Sequence, residues 1–205
     1  MPPSGSNPEI DALLRASGIG ASTVAAVSQL DAVLQNWRRR MSRRELGNRA
    51  LQDLGVDIDL AQFDVLIAIA APVNEFGDSS GEETMVATVA ERLSIDPSRA
   101  SRVVSEMVEA GYARRAVSQA DARRTIIRLT PAGEAVIAAV RAYKYLILGS
   151  FLSEWSEAEL AAFMPLLEKL SHWSDRTANA ATRFSGEIAT LSANIKASHR
   201  EKVEG

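Results

Sequence analysis

Arginines set among serines are the residues in this chain best placed to do chemistry. Ser98, Arg99, Ser101, Arg102 and Ser105 follow Asp96-Pro97, and Arg114, Arg115, Arg123, Arg124 and Arg128 crowd the segment just beyond. A guanidinium is a planar fork of donors that matches a guanine edge or a phosphate, and a short hydroxyl lets the backbone approach a groove closely. The positive N-terminus of a helix also suits phosphate. An arginine at a hairpin tip has the reach and charge for a minor groove narrowed by A·T pairs. Asp121, two residues before Arg123, is placed to pair with it and fix its direction. The chemistry on offer is that of binding a polyanion, not of making bonds.

Other chemistries are poorly supplied. The chain has no cysteine, which removes disulfides, thiolate metal ligands and thiol-based oxidation sensing. His172 and His199 are the sole imidazoles, too few for a multi-histidine metal site. His172, beside Trp173, reads as a helix-surface residue. No Gly-rich dinucleotide or phosphate loop appears, and no nucleophile turn gathers Ser, His and Asp. Neither an enzyme nor a cofactor or metal is expected.

The elements that position these arginines follow from pattern. The chain has 205 residues, 46% hydrophobic and 24% charged, with a net charge of −3, as in an ordinary soluble globular protein. No apolar run reaches the roughly 18 residues of a membrane span, and no basic start or apolar stretch marks residues 1–8 as a secretory signal. A membrane partner is therefore not expected. Residues 1–21 read as a mobile arm or a loosely docked short helix. Val27, Leu30, Leu34, Trp37 and Met41 step by 3, 4, 3 and 4, the stripe of one helix face. A shorter helical piece runs to Leu54, with Gly55 as its stop. Asp59 and Gln62 form a capping box for an apolar helix over 63–70, which Pro72 ends before a polar loop over 72–83.

The informative unit spans 84–130. A helix over 84–93, a tight turn at 93–96 and a helix opened by the Asp96-Pro97 pair make a helix-turn-helix. Its second helix turns Ala100, Val103, Val104, Met107 and Val108 inward and stops at Gly111. Strands over 112–117 and 125–129 then make a hairpin, so the unit is a winged helix. Thr130-Pro131 opens a long apolar helix through Phe151, and Ser156 with Glu159 opens another. Ala181, Phe184, Ile188, Leu191 and Ile195 extend its register, so one long helix from 156 to about 198, bent at Pro165, is expected. A solvated tail is the alternative reading. The fold class is mainly α with a small β-hairpin wing: a winged helix-turn-helix domain plus a helical dimerisation domain.

Residues 60–133 resemble the MarR family of winged-helix transcription regulators. The resemblance rests on Val89-Ala90-Glu91-Arg92-Leu93, on Asp96-Pro97-Ser98-Arg99-Ala100-Ser101-Arg102-Val103-Val104, and on Glu109-Ala110-Gly111-Tyr112. It also rests on Asp121-Ala122-Arg123-Arg124 followed by Leu129-Thr130-Pro131-Ala132-Gly133, a fairly specific D-x-R wing with L-T-x-x-G. The resemblance implies a homodimer bound to double-stranded DNA in the bacterial cytoplasm, with recognition helices in successive major grooves of a palindromic operator. It implies a repressor released by a small aromatic or phenolic effector. The DNA-binding residues would be Ser98, Arg99, Ser101, Arg102, Arg115, Asp121, Arg123 and Arg124, with Arg123 in the minor groove and oriented by Asp121. An effector cleft between dimerisation helices and winged helix would draw on Trp37, Phe63, Leu66 and Tyr143, although serving as core is the preferred reading of these four. The domains would be an arm over 1–21, dimerisation helices over 22–58, the winged helix-turn-helix over 59–133, and dimerisation helices with an extended tail over 134–205. Arg114 and the wing turn Val117-Ser118-Gln119-Ala120 depart from the family pattern, and both ends of the chain are longer than in a typical member.

Two other function classes compete. A winged helix can serve only as a dimerisation or protein-interaction module, with weak and salt-insensitive DNA affinity. It can also be the dimerisation module of an enzyme, but 134–205 lack any Gly-rich cofactor domain. The cluster Arg38-Arg39-Arg40 with Arg43, Arg44 and Arg49 can reach flanking phosphates or simply favour a helix C-terminus, and the second is preferred. The acidic net charge conceals a partition. Residues 84–133 hold eight Arg against five acids, a net of +3, whereas 154–175 hold one Lys against five acids, a net of −4. A basic reading head on an acidic body predicts modest, salt-dependent non-specific affinity.

Overall fold

The computed structural model describes residues 7–70, 83–173, 175 and 177–201, with backbone alone at 41–43 and 200–201. The described chain divides into two units, one within residues 43–153 and the other drawn from residues up to 42 and from 154 onward. The sequence-expected loop over 72–83 lies outside the described residues except for Glu83, and so does Pro72.

The 43–153 unit holds α3 (Glu45–Asp53), α4 (Leu60–Ala70), α5 (Val86–Leu93), α6 (Pro97–Glu109), β1 (Ala113–Val117), β2 (Thr125–Leu129) and α7 (Pro131–Leu152). Local chemistry opens most of these helices as expected. Gln62 N–H donates to Asp59 Oδ1 at 2.7 Å while Asp59 N–H donates to the Gln62 side chain at 3.0 Å, a reciprocal box before α4. Asp96 caps α6, with Pro97 in the first helical position where its missing N–H costs nothing. Thr130 accepts from Gly133 N–H and caps α7. Gly55 and Gly111 follow α3 and α6 with φ of +65° and +79°, a backbone region that glycine enters without Cβ strain.

The start of α5 differs from expectation. The helix begins at Val86 with Met85 as its cap, and Thr84 leaves it to lie beside β2. The Thr84 carbonyl accepts Ile127 N–H at 2.7 Å. Its side chain, 2% exposed, donates to the Ile69 carbonyl and accepts from Arg92 Nη1 at 2.9 Å. Arg92 Nη1 also reaches the Ala68 carbonyl at 2.8 Å. These long-range bonds outweigh the local preference for starting a helix at threonine.

The core beneath α6 is built from Val65 and Leu66 of α4, Val89 of α5, Val104 and Met107 of α6, and Ile127 of β2, all essentially excluded from water. Each contributes about 1.5–3 kcal/mol by burial. The hairpin is antiparallel, with Ala113 paired to Leu129, Arg114 to Arg128 and Arg115 to Ile127.

α7 corrects one sequence expectation. Its 22 residues are long and apolar enough to cross a membrane by length and composition, the one such helix among the described residues. Counting uninterrupted apolar residues missed it because Arg141 and Lys144 fall inside. Its first half packs Val136 and Val140 into the core, while Leu146 and Phe151 of its second half are 73% and 54% exposed.

The other unit holds α1 (Pro8–Ala16), α2 (Ala21–Arg43), α8 (Glu157–Ser171), α9 (Thr177–Arg183) and α10 (Ser185–Glu201). Of the arm expected over 1–21, residues 8–16 are helical, and Asn7 accepts from Glu9 N–H as the cap. α2 carries the expected stripe with Val27, Leu30 and Trp37 exposed. Ser156 and Glu159 form the expected capping box of α8. The single helix expected over 156–198 is instead three. Pro165 does not break α8; His172 ends it, with its Nδ1 3.0 Å from Asp175 Oδ2. The second interruption at Phe184 is slight, since Phe184 N–H still donates to Ala180 and Ile188 N–H to Phe184.

Candidate nucleic-acid interface

The first turns of α6 present Ser98, Arg99, Ser101 and Arg102, all exposed, while Ala100, Val103 and Val104 of the same turns are buried. Asp96 holds this end rigid. Its Oδ1 accepts from Ser98 N–H at 2.8 Å, from Arg99 N–H at 3.4 Å, and from the Ser98 hydroxyl. The hydroxyl and the two amides hold the Asp96 carboxyl below the usual carboxylate range. Ser98 is thus partly committed to the cap, which its sequence position alone did not reveal.

The sign of the pH effect follows. A carboxylate whose pKa is lowered in the fold contributes stability above its unfolded value, about 3.9, and loses it as pH falls through the lower folded value. Parent protein should therefore lose more stability between pH 5 and pH 2 than Asp96→Asn, which keeps an accepting oxygen but does not ionise. Identical acid-side curves for the two in denaturant titrations would remove Asp96 as a contributor.

Arg102 Nε stands 3.8 Å from Glu106 Oε1, a long contact on a side chain 72% exposed, so its fork remains available to a partner. Arg115 Nη2 donates to Ser105 Oγ at 3.1 Å, tying the hairpin to α6. This is a positioning contact that the sequence-based placing of Arg115 at DNA did not include. Arg114 and Arg128 are cross-strand partners and both are exposed. Like charges directly opposite repel, which leaves the ribbon seeking anions.

The wing turn corrects the expected Asp121–Arg123 pairing. Asp121 Oδ1 accepts the backbone N–H of Arg123 at 3.0 Å, and its other oxygen lies 4.0 Å from Arg124 Nε. Asp121 shapes the turn and faces the Arg124 side chain, leaving the exposed Arg123 guanidinium at the tip. A carboxylate two residues before an arginine meets that residue's amide more easily than its distant head group.

The basic run upstream separates by role. Arg44 adopts φ of +51° ahead of α3 and grips Asp64 with both terminal nitrogens, at 2.5 and 2.6 Å. Arg49 bonds Asp53 through Nε, and Tyr143 Oη donates to the same carboxylate at 2.7 Å. These pairs explain why Asp53 is held below the usual range, Arg49 first and Tyr143 second. Arg38, Arg39 and Arg40 are exposed on α2.

Three of the four effector-cleft candidates belong to the 43–153 unit and Trp37 to the other. Leu66 is wholly buried in the core, Phe63 and Tyr143 pack against that core half-buried, and Trp37 stands 45% exposed on α2 in the other unit. Two cavities in the 43–153 unit lie elsewhere. One of about 330 Å³ is lined by Ile69, Thr84, Arg114, Ile127, Arg128 and Glu134; one of about 200 Å³ is lined by Ile67, Ala70, Leu129, Ile137 and Arg141. Among the described residues no cluster of His, Asp and Glu is arranged to hold a metal.

Residues 56–124 match the model of the MarR family. This segment is a MarR family winged helix. Solved structures share the fold beyond the matched segment. A MarR family transcription regulator aligns at TM-score 0.57 and 21% identity, over 77% of this chain and 98% of its own. A MarR family protein from Bacillus stearothermophilus aligns at 0.56 and 21%, over 71% and 93%. S. aureus MepR, solved bound to ethidium bromide, aligns at 0.51 and 22%, over 66% and 92%. No curated protein matches the sequence. The matched segment holds α4, α5, α6 and β1, and β2 follows directly after it.

Proposed function

We propose that this MarR family chain is a sequence-specific DNA-binding transcription regulator. It acts without catalysis, in the cytoplasm, as a homodimer on a palindromic operator. One observation carries the reading: the exposed Ser98, Arg99, Ser101 and Arg102 of α6 adjoin a wing whose arginines are also exposed, with Arg115 bonded across to Ser105. Helix and ribbon present one basic surface of the kind that pairs major-groove reading with minor-groove insertion. In the proposal Arg102 and Arg99 read base edges, Ser98 and Ser101 approach the groove, and Arg123 and Arg124 enter the minor groove beside Asp121.

Exposed apolar faces support the homodimer. Leu30 and Trp37 on α2, Leu146 and Leu148 on α7, and Leu191 and Ile195 on α10 would otherwise stand in water. Deleting residues 176–205 should weaken the dimer, with measured mass falling toward the monomer at lower dilution than for the parent. An equally stable dimer in sedimentation equilibrium would exclude a role for the tail. Repression, and release by a small aromatic or phenolic effector, complete the reading; the ethidium complex of MepR supports an aromatic effector by analogy of fold alone.

The deciding experiment selects duplexes from a random pool and measures affinity by fluorescence anisotropy over a range of salt. The reading expects an enriched palindrome with half-sites about 10–10.5 base pairs apart and a steep fall of affinity with salt. Equal, weak and salt-insensitive binding of selected and random DNA would favour a protein-interaction module instead.

A further inference from the structure

We propose that Glu83 is a positioning residue for the wing: its carboxylate latches the turn that carries Arg123 and Arg124, and so governs specificity without touching DNA. The inference rests on the DNA-binding reading above.

The geometry joins residues far apart in the chain. The Ser118 hydroxyl donates to Glu83 Oε2, and Gln119 N–H donates to Glu83 Oε1 at 2.8 Å. Ser118 is 4% exposed, and its oxygen in turn accepts Ala120 N–H at 3.1 Å and Asp121 N–H at 3.0 Å. The next residue, Thr84, is bonded to Ile127 of β2 and, through its side chain, to Arg92. Two consecutive residues outside the hairpin therefore hold it by a strand and by its turn.

The energetics require such an anchor. A two-stranded hairpin is marginal in water, and this one opposes Arg114 to Arg128. Hydrogen bonds to an ionised acceptor are roughly twice as strong as neutral ones. Glu83 is kept ionised, its carboxyl held below the usual range by Ser118 and Gln119 and, more weakly, by Arg128 and Arg124. The same negative charge offsets part of the wing's attraction for phosphate. Losing the latch therefore moves two properties in opposite directions, which loss of general stability would not do.

The test uses the full chain with Glu83→Ala, Glu83→Gln and Ser118→Ala. Amide hydrogen exchange is followed without DNA, and anisotropy with a duplex selected by the parent and with a scrambled duplex. In Glu83→Ala, exchange at Gln119, Ala120 and Asp121 should quicken while amides at 103–107 keep their protection. Affinity for the selected duplex should fall about tenfold, and affinity for the scrambled duplex should hold or rise. Glu83→Gln, which keeps an acceptor for Gln119, should recover part of the protection. Ser118→Ala should lose the selected duplex with no gain on the scrambled one. Unchanged turn exchange in both alanine variants overturns the proposal, as does an equal loss on both duplexes. If the parent prefers no duplex, the DNA-binding reading fails and turn exchange alone decides the latch.

Discussion

Arg102→Ala should weaken binding to the selected duplex by about 1–3 kcal/mol, roughly ten- to a hundredfold, the scale of one base-reading arginine. Arg102 lies on the exposed face of α6, one residue before Val103 and two before Val104 of the core, so its backbone is fixed while its head is not. Its contact with Glu106 is long and exposed, so little is lost on leaving it. Arg102→Lys separates charge from shape: a lysine keeps the attraction for phosphate but lacks the planar fork. A base-reading role predicts that lysine restores scrambled-duplex affinity more than selected-duplex affinity. Arg123→Ala should also weaken binding, and should lower the salt slope by about one ion if the tip sits in the minor groove. Parent-like affinity of both alanine variants for the selected site at moderate salt would remove α6 and the wing tip from the interface.

The largest expected effect on stability comes from Gly133→Ala. A Cβ at Gly133 would stand 2.1 Å from the Tyr112 carbonyl oxygen and 3.1 Å from its carbon. Both are backbone atoms and cannot swing aside. The same carbonyl accepts Thr130 N–H at 3.0 Å, while the Thr130 hydroxyl donates to the Gly111 carbonyl at 2.6 Å. The first turn of α7 is thereby fastened against the turn between α6 and β1. Overpacking a site of this kind costs about 3 kcal/mol. The melting temperature should fall by several degrees, since each kcal/mol is worth about 2–4 °C in a chain of this size. Gly149→Ala is the matched control on the same helix. Nothing lies within 4 Å of its added Cβ, and alanine is the better helix former by about 1 kcal/mol. Equal melting temperatures for the two variants would show that Tyr112 moves freely, and that α7 is not pinned there.

Features written in neighbouring residues are legible in the sequence alone. Asp96-Pro97, Thr130-Pro131, Asp59 with Gln62 and Ser156 with Glu159 all satisfy helix donors within three residues, so tertiary packing had nothing to decide. The inward residues of α6 followed from the helical period, and the hairpin from β-branched Ile126 and Ile127 around a polar turn. The exposed serines and arginines of α6 were legible for the same reason, because burial of one helix face dictates exposure of the other. What misled was inference across distance. Asp121 reads as a partner for the Arg123 side chain, yet the turn brings its oxygens to the Arg123 amide and toward Arg124. The tail reads as one helix by period, but period is silent about the ends at His172 and Phe184.

The sequence by itself determined that this chain carries a helix-turn-helix with an arginine-rich hairpin, because caps, helical period and charge are properties of residues close together. Gly133 illustrates the boundary. Its place in the L-T-x-x-G motif was visible in the sequence, but the reason for it, the Tyr112 carbonyl 2.1 Å from where a side chain would begin, exists only once α7 is folded against the turn after α6. The grip of Glu83 on Ser118 and Gln119, 35 and 36 residues further along, is of the same kind. No local propensity encodes a hydrogen bond closed by bringing distant segments together, so the direction in which the wing points was left to the tertiary structure.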